Sequence, residues 1–130
     1  MVLVDTSVWI RFLANRAPYA AELERLLALD VVVGHELVYG ELLIGGQGGR
    51  SNLLSSYERM YQADLVPHRE VVAFVRHRGL HGRGAGWIDV HLLAATLVGG
   101  LRLWTADQRL AVLANELGVA YEAPPANLTV

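Results

Sequence analysis

Short runs of strand character alternate along this chain with longer segments in which apolar residues recur at helical spacing. The runs are residues 2–4, 31–33 and 102–104, with weaker ones at 65–66 and 119–121. The helical segments are residues 20–29, 37–44, 53–61, 71–78, 88–98 and 110–117. Short apolar strands that alternate with helices are typical of parallel sheets. The pattern therefore predicts an α/β fold around a mainly parallel sheet of four or five short strands.

The length and composition indicate one globular domain. We expect residues 1–130 to fold as a single unit, because 130 residues is a common domain length. With 53% hydrophobic and 18% charged residues, the chain resembles compact proteins rather than disordered ones. We expect no signal peptide, because the first residues lack a cationic, apolar pattern, and the longest apolar run, residues 92–101, is much shorter than the roughly 20 residues that span a bilayer. We therefore expect a cytoplasmic protein that makes no membrane contact.

Two residue types are missing from the sequence, and each absence excludes a class of chemistry. The lack of cysteine excludes disulfides and thiolate metal sites. The 11 basic residues are all arginines, which excludes every mechanism that requires a catalytic lysine. The net charge of −2 gives no overall electrostatic preference for nucleic acid.

Two aspartates follow strands, at the sheet edge where α/β proteins bind their ligands. Asp5 comes directly after the first strand, and Asp107 lies three residues after the strand that ends at Trp104. Asp5 has a second interpretation as a helix N-cap, and the two interpretations stay open at this point. For Asp107 the capping role is expected to fall to Thr105, because Thr105 and Gln108 have the spacing of a capping box. We therefore expect Asp107 to be free for another role.

Two further acids lie on apolar faces of predicted helices. Glu41 shares its face with Leu37, Val38, Ile44 and Gly45. Asp89 shares its face with Leu92, Leu93, Thr96 and Leu97. A carboxylate on an apolar face costs several kcal/mol unless its charge is compensated. Asp89 also falls in the first turn of its helix, where the macrodipole favours an anion, so a structural role stays open for it.

Taken together, these four acids predict a metal site. Converging carboxylates repel one another and become partly protonated unless a cation holds them together. Oxygen ligands without cysteine or an evident histidine cluster favour Mg²⁺ or Mn²⁺ over zinc. Such an ion suits a phosphate-bearing substrate, because it activates water and stabilises the leaving oxygen.

The same residues resemble those of the PIN-domain family, and in particular its small VapC-type toxins. The resemblance is carried by VDTSVWI around Asp5, ELLIG from Glu41, GWIDVHLLAAT around Asp89, and LWTADQRL around Thr105 and Asp107. Each motif is short, but their order and spacing in a chain of this length are specific.

The resemblance implies a three-layer α/β/α sandwich and a Mg²⁺- or Mn²⁺-dependent ribonuclease, the toxin of a VapBC-type toxin–antitoxin pair. Asp5, Glu41 and Asp89 match the three core metal-site acids, and Asp107 matches the more variable fourth acid. Thr6 and Thr105 match small hydroxyl residues that help to order the site. The resemblance also implies an RNA substrate, a cognate VapB-like antitoxin and a homodimer.

An arginine-rich segment, residues 67–84, is a candidate contact for RNA phosphates. It contains Arg76, Arg78 and Arg83, and Arg83 is favoured because only a short glycine-rich turn separates it from the helix of Asp89. The alternative is an ordinary solvated helix face and loop.

Two other functions are compatible with parts of this sequence pattern. One is a catalytically inactive scaffold of the same fold that binds RNA or a partner without cleavage. Another is phosphotransfer through an aspartyl phosphate, which relies on a lysine that this chain lacks.

The stretch GGQGGRSN has the wrong spacing for a phosphate-binding loop, and we instead predict a helix C-cap at Gly45 or Gly46.

Overall fold

A computed structural model of the protein describes residues 1–45 and 50–124, except for the side chain of Arg50. In this part of the chain the elements follow the order β1 (Val2–Val4), α1 (Thr6–Leu13), α2 (Tyr19–Ala28), β2 (Val32–Val33), α3 (Glu36–Ile44), α4 (Arg50–Arg59), α5 (His68–Arg78), α6 (Trp87–Gly99), β3 (Arg102–Trp104) and α7 (Gln108–Glu116). None of these helices has the length and apolar character needed to cross a membrane.

The sheet is parallel and has β1 at its centre, in the order β2–β1–β3. Val2 pairs with Val32 on one side and with Arg102 on the other. All three residues of β1 are buried, although successive side chains of a strand point to opposite faces. Both faces of the sheet are therefore covered, as expected for strands joined by helical crossovers. The predicted α/β fold with a parallel sheet is confirmed.

The predicted number of four or five strands is wrong for the described residues, which form three. The segment 119–121 makes only a single bridge, between Leu103 and Ala120, closed by hydrogen bonds of Leu103 to the residues on either side. In place of the strand predicted at residues 65–66, a single bridge forms earlier, between Gly34 and Gln62. Pro67 lacks an N–H and cannot donate to a ladder, which disfavours a strand beside it.

The predicted helices are all present, with ends that shift by a few residues. The sequence patterns missed α1, in which Val8 and Trp9 are buried. The indole ring of Trp9 packs edge-on against Phe12 and Tyr57, at centroid distances of 5.8 and 5.5 Å. Gly45 is the C-cap of α3, as predicted, whereas the alternative cap Gly46 lies outside the described residues.

The core is built on β1 and the middle of α6, which is buried on all sides from Val90 to Thr96. A helix that is apolar all round belongs in the interior of a fold. The burial of α6 fixes the position of its first turn, and that turn lies at the candidate site.

Candidate metal and active site

Asp5 occupies the junction between β1 and α1, and its carboxylate is held by two hydroxyl groups. It stands at the N-cap position of α1, but its side chain makes no capping hydrogen bond. Instead, Asp5 Oδ2 accepts hydrogen bonds from Ser7 Oγ at 2.7 Å and from Thr105 Oγ1 at 2.8 Å. Its backbone N–H donates to the carbonyl of Trp104 at 2.9 Å. The Asp5 side chain is thus tied to the end of β3, and the N-cap interpretation of its carboxylate is wrong.

Glu41 is delivered to the site by α3 and is held by α1. Thr6 Oγ1 donates a hydrogen bond to Glu41 Oε1 at 2.5 Å. Burial raises the pKa of Glu41, the Thr6 hydroxyl lowers it, and the charges of Asp5 and Asp89 raise it further. The three carboxylates therefore act on one another electrostatically, although Asp5 and Glu41 are 36 positions apart in the sequence.

The apolar face predicted around Glu41 holds for only part of α3. Val38 is fully buried, whereas Ile44 is 87% exposed and Gly45 is also exposed. In the last turn of α3, Leu42 is fully buried, whereas Leu43 and Ile44 are exposed. Glu41 lies where the buried part of the helix meets the exposed part, and its carboxyl is half-buried.

The start of α3 is fixed by a buried histidine. His35 Nδ1 accepts a hydrogen bond from Leu37 N at 3.0 Å, which caps the helix. Tyr57 Oη accepts from His35 N at 2.8 Å. Burial and the nearby His91 lower the pKa of His35 to about 4, so the ring is neutral at physiological pH. This neutral cap positions the helix that carries Glu41.

Asp89 combines the two roles that the sequence left open. It lies in the first turn of α6, and its Oδ2 accepts a hydrogen bond from Gly86 N at 2.9 Å. Burial raises the pKa of Asp89, the Gly86 hydrogen bond lowers it, and the charges of Asp5 and Asp107 raise it. Asp89 thus stabilises a helix end and lies in the electrostatic field of the other acids.

Asp107 is exposed and is the N-cap of α7. Its Oδ1 accepts hydrogen bonds from Arg109 N at 2.9 Å and from Leu110 N at 3.3 Å. The prediction that Thr105 caps this helix and leaves Asp107 free is wrong. Because α7 begins at Gln108, the capping position falls on the residue directly before it. The Thr105 hydroxyl donates to Asp5 instead.

Two tests of metal fit give different answers. The donor set consists of carboxylate and hydroxyl oxygens, which suits a hard cation such as Mg²⁺ or Mn²⁺. As placed, however, no three histidine, aspartate or glutamate side chains in residues 1–45 and 50–124 lie close enough together to hold a metal ion. Each acid instead accepts hydrogen bonds from its own donors. The oxygen donors therefore suit a divalent ion chemically, but their side chains are not positioned around a common metal site.

Comparison with known proteins identifies the fold family. The model of the PIN domain matches residues 2–116. The chain belongs to the PIN-domain family. It is 46% identical over 121 residues to Ribonuclease VapC32 of Mycobacterium tuberculosis, which covers 92% of this chain and 95% of the relative. A crystal structure of PAE2754 from Pyrobaculum aerophilum has the same fold, with a TM-score of 0.57, 19% identity, and coverage of 90% and 94% of the two chains. The resemblance to VapC-type PIN domains inferred from the motifs is confirmed.

Of the predicted phosphate-binding arginines of this PIN domain, one is already paired with an acid and two are exposed. Arg83 Nη2 contacts both carboxylate oxygens of Glu116, at 2.8 and 3.0 Å, in an exposed ion pair. Arg76 and Arg78 are exposed in the last turn of α5. Their contact with RNA stays a prediction.

The motifs did not single out two side chains that contact the site segments. The Ser7 hydroxyl contacts Asp5 and also accepts a hydrogen bond from Ala106 N at 2.9 Å. Arg109 lies against Gly84, where a Cβ would stand 2.6 Å from its Cδ. The signal for Ser7 was present in VDTSVWI, as a hydroxyl two residues after an acid at a strand end. The position of Arg109 depends on tertiary packing and had no local signal.

Proposed function

We propose that this PIN-domain protein is a Mg²⁺- or Mn²⁺-dependent endoribonuclease and the toxin of a VapBC-type pair. One observation carries the proposal: β1, α3 and α6 bring Asp5, Glu41 and Asp89 close enough to interact electrostatically, and burial together with the neighbouring charges raises the pKa values of Glu41 and Asp89. A divalent cation is the partner that relieves such repulsion. The name of the relative, Ribonuclease VapC32, supports RNA as the substrate.

The residues have separate tasks in this mechanism. Asp5, Glu41 and Asp89 would hold the ion, with Asp107 as the exposed fourth acid. A bound Mg²⁺ or Mn²⁺ supplies Lewis-acid activation of water and neutralises charge on the phosphodiester. Thr6 orients Glu41 through its hydrogen bond. Thr105 does the same for Asp5.

RNA and protein partners form the second part of the proposal. Arg76, Arg78 and Arg83 are the proposed phosphate contacts, and Arg83 must leave Glu116 in order to reach RNA. An exposed ion pair of this kind is weak, so its exchange for a phosphate contact costs little. We further propose a VapB-like antitoxin as the inhibitor, a homodimeric assembly and a cytoplasmic location.

Carboxylate-to-amide variants test the metal-dependent reaction. Asp5→Asn and Asp89→Asn are each expected to lower RNA cleavage at least ~100-fold, because loss even of groups behind a metal ligand costs about 10- to 100-fold. Both variants should also abolish growth arrest on expression. The matched control is Asp64→Asn, at an exposed aspartate outside the site, which should cleave RNA at the wild-type rate. A folded Asp5→Asn protein with full activity contradicts the proposal.

One observation favours a rival function, a scaffold that binds RNA or a partner without cleavage. The acids in the described ranges are not drawn together into a preformed metal site. RNA binding that persists with no divalent-dependent turnover, at any Mg²⁺ or Mn²⁺ concentration, would establish the scaffold. Turnover that requires the divalent ion and Asp5 would exclude it.

A further inference from the structure

The Asp5 carboxylate is held asymmetrically by two neighbouring hydroxyl groups. Ser7 Oγ and Thr105 Oγ1 approach the same oxygen, Asp5 Oδ2, at 2.7 and 2.8 Å. In the described part of the chain, no hydrogen-bond donor reaches Asp5 Oδ1. The two oxygens of this buried carboxylate therefore have different environments.

Each of the two hydroxyl groups donates to Asp5 and also accepts from the backbone. Ser7 Oγ accepts from Ala106 N at 2.9 Å, and Thr105 Oγ1 accepts from Asp107 N at 3.0 Å. A serine or threonine hydroxyl has a single proton to donate. Because a carboxylate oxygen only accepts, each hydroxyl directs this proton to Asp5 while it accepts from a backbone N–H. The contact of 3.3 Å between the two hydroxyl oxygens is secondary to these bonds.

Ser7 also joins two parts of the site that are distant in sequence. It belongs to the first turn of α1, whereas Ala106 lies between β3 and α7. Its hydroxyl contacts Asp5 and the backbone of that connection at the same time. A change at Ser7 therefore affects the orientation of Asp5 and the attachment of the Thr105 segment together.

We propose that Ser7 is a positioning residue that, with Thr105, occupies Asp5 Oδ2 and leaves Oδ1 as the single Asp5 oxygen offered to a divalent cation. The inference rests on the proposed metal-dependent function. Groups that hydrogen-bond a metal ligand fix its orientation, and their loss typically weakens metal binding by about 10- to 100-fold. Two fixed donors on one oxygen also restrict rotation of the carboxylate before the ion arrives.

Metal affinity separates this positioning role from a purely structural one. Ser7→Ala leaves the Ala106 N–H without its acceptor, so some loss of thermal stability is expected in either case. A weaker Mn²⁺ affinity in the folded variant follows only from the positioning role. Ser7→Thr retains the hydroxyl and is the conservative rescue. Ser55→Ala, at an exposed serine of α4, is the matched control.

The experiment is a Mn²⁺ titration of the full chain, with free Mn²⁺ measured by electron paramagnetic resonance. Ser7→Ala is expected to bind Mn²⁺ about 10-fold more weakly than wild type, with Ser7→Thr and Ser55→Ala within about twofold. RNA cleavage by Ser7→Ala should need about 10-fold more Mn²⁺ for half-maximal rate and recover at saturating Mn²⁺. If Ser7→Ala melts below the assay temperature, Ser7→Cys, whose thiol is a weaker donor, replaces it.

The outcomes separate failure of this inference from failure of the proposed function. Unchanged Mn²⁺ affinity in folded Ser7→Ala, together with weakened affinity in Asp5→Asn, overturns the role of Ser7 and leaves the metal-dependent function in place. Equal Mn²⁺ binding by wild type and Asp5→Asn overturns the metal site itself. A loss in Ser7→Ala that saturating Mn²⁺ does not restore also contradicts positioning through the ion.

Discussion

Replacing Thr6 by valine removes one hydrogen bond from the site with little change in side-chain shape. The lost bond joins Thr6 Oγ1 to Glu41 Oε1 at 2.5 Å. A hydrogen bond to a charged group contributes about 1.5–3 kcal/mol, and because Glu41 is only half-buried we take about 1.5 kcal/mol. With an unfolding entropy of about 2.1 cal/mol/K per residue, the Tm of the metal-free protein should fall by about 5 °C at pH 7.5.

The effect of Thr6→Val should depend on pH, because the hydroxyl stabilises the ionised form of Glu41. This bond lowers the pKa of Glu41, although burial and the neighbouring acids keep that pKa above the ordinary 4.5. Its contribution is therefore present when Glu41 is charged and decreases as the pH falls through the folded-state pKa. At pH 4 only a neutral hydrogen bond remains, and the loss should shrink to about 0.5 kcal/mol, or about 2 °C.

Thermal unfolding in metal-free buffer at both pH values measures this difference. The matched control is Thr96→Val, which removes a buried bond from Thr96 Oγ1 to the neutral carbonyl of Leu92 at 2.7 Å. Its cost should be the same at pH 7.5 and pH 4. The reasoning is refuted if the Tm loss of Thr6→Val is equally large at the two pH values.

Three further perturbations follow from the same contacts. Burial and like charges raise the pKa values of Glu41 and Asp89. The folded protein therefore loses stability as the pH rises through these pKa values and both groups ionise. Removing either charge, by Glu41→Gln or Asp89→Asn, should raise the Tm of the metal-free protein at pH 8. An unchanged or lower Tm in both variants counts against the shared field. The pKa of His35 falls from 6.5 to about 4, so its contribution is complete above pH 6.5 and decreases by about 3 kcal/mol towards pH 4. In urea denaturation, the free energy of unfolding of His35→Asn should therefore decrease less between pH 6.5 and pH 4 than that of the wild type. Equal decreases in the two proteins would contradict this role of His35. Gly84→Ala places a Cβ 2.6 Å from Arg109 Cδ at φ +87° and should cost at least about 1 kcal/mol in urea denaturation. Arg109 can move aside but the backbone strain remains, so an unchanged midpoint contradicts this prediction.

Hydrophobic spacing was sufficient to predict the α/β fold and the two acids that follow strands. Strand ends in a parallel sheet meet at one edge, so the positions of Asp5 and Asp107 followed from local patterns. The number of strands could not be predicted from local patterns, because a segment that forms a single bridge, as at Ala120, and a full strand have similar local sequences. Whether such a segment forms a ladder depends on tertiary pairing rather than on its own residues.

The sequence indicated the candidate site residues, but it did not indicate which partners they contact. A shift in the start of α7 exchanged the roles of Thr105 and Asp107, because capping depends on the first helical residue, and helix ends are the least certain feature of a sequence pattern. The ion pair between Arg83 and Glu116 joins residues 33 positions apart and has no local signature. The role of Ser7 does not follow from its local sequence, because a serine in a first helical turn is common.

The most direct measurement is anomalous diffraction at the manganese edge from crystals of the full chain soaked in Mn²⁺. We predict one strong peak with carboxylate oxygens of Asp5, Glu41 and Asp89 within about 2.0–2.5 Å. A saturating soak that places manganese only elsewhere on the surface, with the three carboxylates still bound to their separate donors, would contradict the metal site.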